Sequence, residues 1–427
     1  MRVPGILSRL VGVLAAVTLL VGSGVGGVAA ASSRAATPHA SASPITICAL
    51  ASLSGPYQII SQGELTGWNA YVKWVNSRGG ILGHPVKMVV ENDGSQAQLA
   101  VALVRKCVTQ DHANFIIGPG GTSDAAAAIP VANAMHTVML EATSGWHALG
   151  LSNGELHSFG FPSIDNVFLL DDLDTVTKLI VPRHYTRVAV IQESDPGGRL
   201  NSGYMQAFGK QDHFKVVAVQ TVTPGSTDDT PQVLNLLAAK PQIIVLGMAP
   251  GPDTITVLKA VRAQSPDIPI SECSGCSLPS FLAAAGGISV MHNVYSLGTV
   301  LNLQQALPST AANRPLLSQI NTVISAMKSA GYGSTEDIVN GAGSWDTMLE
   351  LQAAIKAAHG LNEDAVRHAL EHLHANTLGI QWARTPANHS GMTSVVDVMG
   401  TFNAAGQFQL YGGATKVKIN VATANES

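Results

Sequence analysis

Charge is scarce in this chain: only 12% of its 427 residues are Asp, Glu, Lys or Arg, about half the usual share of roughly 25%. The basic excess that a phosphate-binding surface needs is missing too. Lys and Arg number 24 against 28 Asp and Glu, a net charge of -4, so nucleic acid is excluded as the main partner. Beyond the N-terminus no run reaches the roughly 18 uncharged apolar residues of a membrane helix, which excludes a polytopic membrane protein. Catalytic motifs are few, and there is no H-E-x-x-H. Ser325-x-x-Lys328 has the S-x-x-K form, but it sits in an amphipathic helix with no S-D-N or K-T-G elsewhere, so it reads as chance. What is abundant is apolar: 46% hydrophobic residues can bury enough surface to offset chain entropy, against disorder.

The N-terminus reads as an export signal. Arg2 and Arg9 precede an apolar run from Leu10 to about Val21, and small residues follow at Val28 to Ala31. A basic start, a short apolar centre and an A-x-A-like site define a secretory signal peptide over residues 1–31. The rival is an uncleaved anchor, which would leave the protein membrane-associated. Residues 32–44 are small, polar and proline-dotted, the composition of a flexible linker. The chain has only four cysteines, Cys48, Cys107, Cys273 and Cys276. An even count in an exported protein suggests disulfides. Cys273 and Cys276 could close a small loop, and Cys48 and Cys107 could join the first strand to a nearby helix. Zinc would need two further ligands, and none stands at the usual spacing.

Strands and helices alternate along the mature chain. Strands are expected at 45–50, 86–90, 115–117 and 138–140, with helices at 64–76, 97–108 and 123–134. The pattern restarts with strands at 188–191, 216–219 and 243–246 and helices at about 199–209, 231–239 and 252–263. Helices follow at 316–330, 345–358 and 363–374, then strands at 395–402 and 407–411. This is an α/β chain of two similar units, each with a mainly parallel sheet flanked by helices. Ligands of such sheets sit beyond the carboxyl ends of the strands. The Gly118–Ser123 loop there joins a strand to a helix and offers Gly121, Thr122 and Ser123, either as an anion site at a helix start or as a tight turn with an N-cap. It has neither a Walker A lysine nor G-x-G-x-x-G spacing. Ala142, Thr143, Ser144 and Trp146 follow the next strand, and Ser54 and Tyr57 the first. His368, His372 and His374 cluster on one expected helix, where a solvated face explains them better than a metal.

Several of these segments together resemble a known family. Leu53-Ser54-Gly55-Pro56, the turn Asn76-Ser77-Arg78-Gly79-Gly80-Ile81-Leu82-Gly83, and Glu91-Asn92-Asp93-Gly94-Ser95 at the next strand's end are similar to the extracellular solute-binding proteins of branched-chain amino-acid ABC transporters, the type I periplasmic binding fold. The resemblance spans residues 45–415 and is sharpest up to about 145. It implies two Rossmann-like lobes, 45–161 plus about 299–377 and 162–298 plus about 378–427. A three-strand hinge near Phe161-Pro162, Val294–Gly298 and Thr377–Gln381 would join them. It implies no enzyme activity and no cofactor or metal. A monomer would close on a small carboxylate- or amide-containing solute and pass it to an ABC permease, or, as the alternative, to a separate receptor. The implied ligand residues are Ser54, Tyr57, Gly121, Thr122, Ser123, Ala142, Thr143, Ser144, Trp146, Gly197, Ala249, Glu272 and Ser274. Amino-acid binders of the family carry a tyrosine where this chain has Asp195–Arg199 and an aromatic where it has Gly247–Gly251. Recognition of an ammonium group is therefore not implied.

Overall fold

The computed structural model describes residues 42–141, 159–162, 167–194, 196–272 and 274–419. The expected signal peptide, most of the linker, Ala142–Trp146 and Cys273 lie outside them. Over the first third, β1 (Ile45–Ala51), α1 (Gln58–Asn76), β2 (Val86–Asn92), α2 (Ala97–Thr109), β3 (Phe115–Ile117), α3 (Thr122–Ala134), β4 (Met139–Glu141) and β5 (Gly160–Pro162) alternate. Their strands form one all-parallel sheet in the order β2-β1-β3-β4-β5. Strands β1 and β3 are nearly unbroken apolar runs because both their faces are covered. Ile45, Ile47 and Ala49 face one core with Trp68 and Tyr71 of α1, while Cys48 and Leu50 face another with Val104 and Ala128. A disulfide joins Cys48 to Cys107 of α2, with their Cα atoms 5.9 Å apart.

The second run comprises α4 (Val167–Thr175), β6 (Arg187–Glu193), α5 (Pro196–Asp212), β7 (Lys215–Val222), α6 (Thr230–Ala238), β8 (Ile243–Gly247), α7 (Pro252–Gln264), β9 (Ile270–Glu272), α8 (Pro279–Ala285), α9 (Ile288–Met291) and β10 (Val294–Leu297). Helices α10 (Val300–Ala306), α11 (Arg314–Ser329), α12 (Thr335–Ala357) and α13 (Glu363–Glu371) then return to pack on the first sheet's core. The chain ends with β11 (His374–Thr377), β12 (Ile380–Ala383), β13 (Met392–Asp397), β14 (Met399–Phe402), β15 (Phe408–Leu410) and β16 (Thr415–Lys418). The second sheet runs β15-β14-β10-β9-β8-β6-β7, and β11-β12-β13-β16 form a separate four-stranded sheet.

Three expectations need correction. The strand expected at 395–402 is two strands in different sheets, because the chain changes sheet at Val398. The helix expected from Trp345 begins ten residues earlier, at Thr335. Ser334 and Asp337 form a capping box there, and Gly341 lies so close to Gly67 that a Cβ on Gly67 would stand 2.0 Å from the Gly341 carbonyl oxygen. These glycines let α1 and α12 touch; they do not break the helix. His374 is not on a helix with His368 and His372 but opens β11. The His372 Nδ1 faces the His368 carbonyl at 2.8 Å, which accounts for one ring nitrogen without a metal.

The segments at β5 and β11–β12 are held by buried polar groups. Arg384, 1% exposed, donates to the Pro162 carbonyl at 2.6 Å and to the Ser390 carbonyl at 3.2 Å. It also pairs with Glu350 of α12 at 2.5 Å. His389 stacks on Phe161 with centroids 4.3 Å apart, and its Nδ1 lies 2.9 Å from the Gly160 carbonyl. The Thr377 hydroxyl donates to Asp346 at 2.8 Å and accepts from Trp382 Nε1 at 2.7 Å.

Candidate functional site

The turn motifs of the sequence prove to be builders of the loops above the first sheet. The Asn76 side chain makes a paired bond with the Val86 backbone, donating at 2.8 Å and accepting at 2.7 Å. Gly80 has φ +79°, and a Cβ there would meet the His84 carbonyl oxygen at 1.9 Å, so the position requires glycine. At the end of β2, Asn92 Oδ1 accepts from the backbone of Leu53 and Gly94, both at 2.9 Å. Asp93 Oδ1 accepts from the Ser52 hydroxyl at 2.6 Å and from Ser95 N–H at 2.9 Å. The Ser95 hydroxyl donates to the Ser54 carbonyl at 2.8 Å and accepts from Tyr57 N–H at 3.2 Å. The run Asn92–Ser95 therefore fixes the β1–α1 loop, with Ser54 exposed and Tyr57 half-buried.

The expected ligand loop after β3 is close-packed. Gly121 lies against the Tyr57 ring, with a Cβ on Gly121 falling 2.5 Å from ring carbons. A Cβ on Gly120 would lie 2.5 Å from Ser61 Oγ and 3.0 Å from Glu64 Oε2. Thr122 is buried and opens α3, and Ser123 is half-buried beside it. Tyr57, Gly121, Thr122 and Ser123 are thus brought together. Ser54 stands on the same rim. Ala142, Thr143, Ser144 and Trp146 lie outside the described residues, as do the side chains of Glu272 and Ser274, while Gly197 is in the first turn of α5.

A cavity of about 600 Å³ opens between the two sheets' helices. Ile59, Ile60 and Glu64 of α1 and Val339, Asn340, Ala342 and Gly343 of α12 form one wall. Met248–Pro252 of the β8–α7 loop, with Leu278 and Phe281, form the opposite wall, and Leu297–Val300 and Val395–Val398 close the back. Ala249 is in this wall. Its N–H donates to Glu193 Oε1 at 2.9 Å and its carbonyl accepts from the Thr254 hydroxyl at 2.5 Å, so the loop is held from both ends.

The charges around this cavity are acidic. Glu64, Asp346 and Asp397 line it, and no Lys, Arg or His does so among the described residues. Glu64 is 3% exposed, with the Ser61 hydroxyl as its hydrogen-bonding neighbour. Burial pushes its pKa well above the usual carboxylate range, and the nearby Glu141 adds to the rise. Burial, with Asp93 nearby, likewise raises Asp124 in the first turn of α3 to about 7. Asp346 rises to about 7 by burial, against the Thr377 hydrogen bond.

Glu64 and Asp124 were not among the residues singled out from sequence. The signal was there for Glu64: the buried face of α1 runs Ser61, Glu64, Trp68, Tyr71 and Val75, a spacing of three and four. A carboxylate at one core position of that stripe is the anomaly.

No curated protein matches the chain. Among solved structures it resembles an extracellular ligand-binding receptor from Rhodopseudomonas palustris HaA2, with TM-score 0.72 and 20% identity over 86% of this chain and 99% of that one. It also resembles the leucine-binding protein LivK of Thermotoga maritima, with TM-score 0.70 and 14% identity over 88% and 99%. A third likeness is to the branched-chain amino-acid transporter substrate-binding protein LivJ of Streptococcus pneumoniae, solved with isoleucine, with TM-score 0.69 and 17% identity over 88% and 100%. At these identities the likenesses establish the type I fold. The family model described as periplasmic binding protein matches residues 44–401. With that span matched, the chain belongs to the periplasmic binding protein family.

Proposed function

We propose that this protein is an exported solute-binding protein that holds a small, largely apolar solute between two lobes and delivers it to the permease of an ABC importer. The lobes are 45–161 plus about 299–377 and 162–298 plus about 378–427, and residues 1–31 are removed on export. The observation that carries the reading is the cavity of about 600 Å³ with walls from both sides. That size is within the roughly 300–1,000 Å³ of small-molecule sites. Closure would come from solute contacts to both walls, which only a closed form makes together.

Of the carboxylate and amide classes that the sequence leaves open, the neutral amide fits better. A carboxylate entering this cavity would find no cation among the described lining residues, and burying a charge without a partner is costly. Ser54, Tyr57, Gly121, Thr122, Ser123 and Ala249 would frame the solute, with Ala142–Ser144, Trp146, Gly197, Glu272 and Ser274 completing the set.

The test is a calorimetric and thermal-shift series on one apolar body carrying a primary amide, a carboxylate or an amine. A ligand at about 100 times its dissociation constant adds roughly 2.7 kcal/mol, a clear midpoint shift. Binding of the amide ahead of the acid supports the proposal. Tighter binding of the acid overturns the ligand class. No shift across amides, acids, amines and free amino acids, after unfolding and refolding to strip bound ligand, overturns the solute-binding reading.

A further inference from the structure

A second concavity lies at the other end of α1 and has the opposite charge. It is a groove of about 1030 Å³ between the last turns of α1 and the α10–α11 segment. Lys73, Arg78 and Arg314 line it, and no Asp or Glu does so among the described residues. Lys73 follows Glu64 by nine residues on the same helix, about 14 Å along its axis, so the groove is separate from the cavity.

The sequence reinforces the asymmetry. No Asp or Glu occurs between Glu64 and Glu91, nor between Glu272 and Glu336. The two acid-free stretches pack together through α1 and α11. Lys73, Arg78 and Arg314 are exposed and form no ion pair among the described residues.

Local structure explains two of these cations and leaves the third over. Lys73 is in the last turn of α1 and donates to the Ala330 carbonyl at 2.9 Å. Arg78 just beyond stacks on Trp74 at 4.5 Å. Both complement the negative end of the helix dipole. Arg314 is instead the first residue of α11, where a cation opposes the dipole. Among the described residues no acidic side chain pairs with Arg314, which leaves its charge open to an external anion.

We propose that this groove docks an extended acidic segment of a partner protein. The shape is concave, which does not suit a flat lipid surface. The aromatic at the groove, Trp74, has Arg78 over its ring and the Trp345 edge against it at 5.3 Å, leaving no bare face to stack a sugar. The lining along α11 presents hydroxyl and amide groups, among them Ser318, Asn321, Ser325 and Ser329, beside Leu317 and Ala326. Such groups pair with the N–H and C=O groups of an extended peptide while the three cations take its carboxylates. This inference does not depend on what the cavity binds.

The experiment measures fluorescence anisotropy of a labelled decapeptide of alternating Glu and Ser with the purified full chain. The same peptide with Gln for Glu, an acidic polysaccharide and anionic phosphatidylglycerol vesicles are competitors. Expected is saturable binding of the Glu peptide that weakens about tenfold in R78Q/R314Q and falls with salt. S325E, which places a like charge in the lining, should weaken it as well. Each variant must keep the wild-type thermal midpoint and the wild-type response to the cavity ligand series, so that loss of fold is distinguished. Equal binding of the Gln peptide, or unchanged affinity in R78Q/R314Q, overturns the proposal. Tighter binding of the polysaccharide or the vesicles overturns the assignment to a protein partner.

Discussion

Removing the Cys48–Cys107 bond should cost this protein about 4 kcal/mol. The bond spans 59 residues of sequence, and the chain-entropy relation for closing a loop of that length gives about 4 kcal/mol at room temperature. The native state adds little to this value. Both cysteines are fully buried in the core between the first sheet and α2 and α3, so the reduced thiols stay packed among the same neighbours. Their side chains act as small hydrophobes there. The effect therefore resides in the unfolded chain, which without the cross-link explores the whole of α1 and β2 freely. The assay is urea unfolding of the oxidised protein, the reduced protein and C48A/C107A, each checked for reversibility. Peptide mapping after alkylation of the unfolded, unreduced chain verifies that Cys48 and Cys107 are blocked. The double alanine variant should fall slightly below the reduced wild type, since it also loses two sulfur atoms from the core. A loss below about 1 kcal/mol on reduction, with the bond verified, would refute the loop-closure argument. Free Cys48 and Cys107 in the mapped protein would refute its premise.

Stability should fall as pH rises from about 4 to 8. Asp124 and Asp346 are raised to about 7 and Glu363 to about 8, and Glu64 well above its usual value, all chiefly by burial. A carboxyl with a raised folded pKa binds its proton in the native state while the unfolded chain has released it. Its penalty is absent below the unfolded pKa and grows until the pH passes the folded one. E64Q should flatten this slope and raise the thermal midpoint at pH 8 but not at pH 4. Glu350→Ala should cost roughly 3–5 kcal/mol, because Arg384 would be left charged and buried without its partner; a loss under 1 kcal/mol in urea unfolding would count against the ion pair. Gly67→Ala should destabilise strongly, since its Cβ would stand 2.0 Å from the Gly341 carbonyl, whereas Gly360→Ala, with open space around it, should not.

How much of this was legible in the sequence depends on what each segment buries. Strands β1, β3 and β8 are covered on both faces, so they stand out as unbroken apolar runs, and their limits could be read within a residue or two. The glycine-rich turn and the Asn92–Ser95 run were legible as a family signature, but their work is internal: they fix loops through side-chain to backbone bonds. The start of α12 was hidden because its glycines are contact points with α1, which single-chain periodicity cannot show. The break at Val398 was hidden because β13 and β14 are one apolar stretch whose halves pair with different sheets. The cavity was reachable only in outline. Ala249 could be placed on a strand-end loop, but Ile59, Ile60 and Glu64 belong to a helix whose first six residues, Gln58–Gly63, lack the apolar spacing that marks the rest.

Scarcity of charge makes its placement informative. In a chain with the usual quarter of charged residues, an acid-poor or base-poor surface arises easily from local pairing. Here, with 12% charged, the two concavities flanking α1 have separated the signs: Glu64, Asp346 and Asp397 at one and Lys73, Arg78 and Arg314 at the other. Helix α1 cannot readily slide to relieve either, because Gly67 and Gly341 allow no room between it and α12. The dipole of α1 favours cations at its C-terminal end, whereas Arg314 stands at the positive end of the α11 dipole. Glu64 is disfavoured as an anion by burial. Two ligands of opposite character would reconcile both: a neutral solute that tolerates protonated carboxyls in the cavity, and an acidic peptide that neutralises the groove.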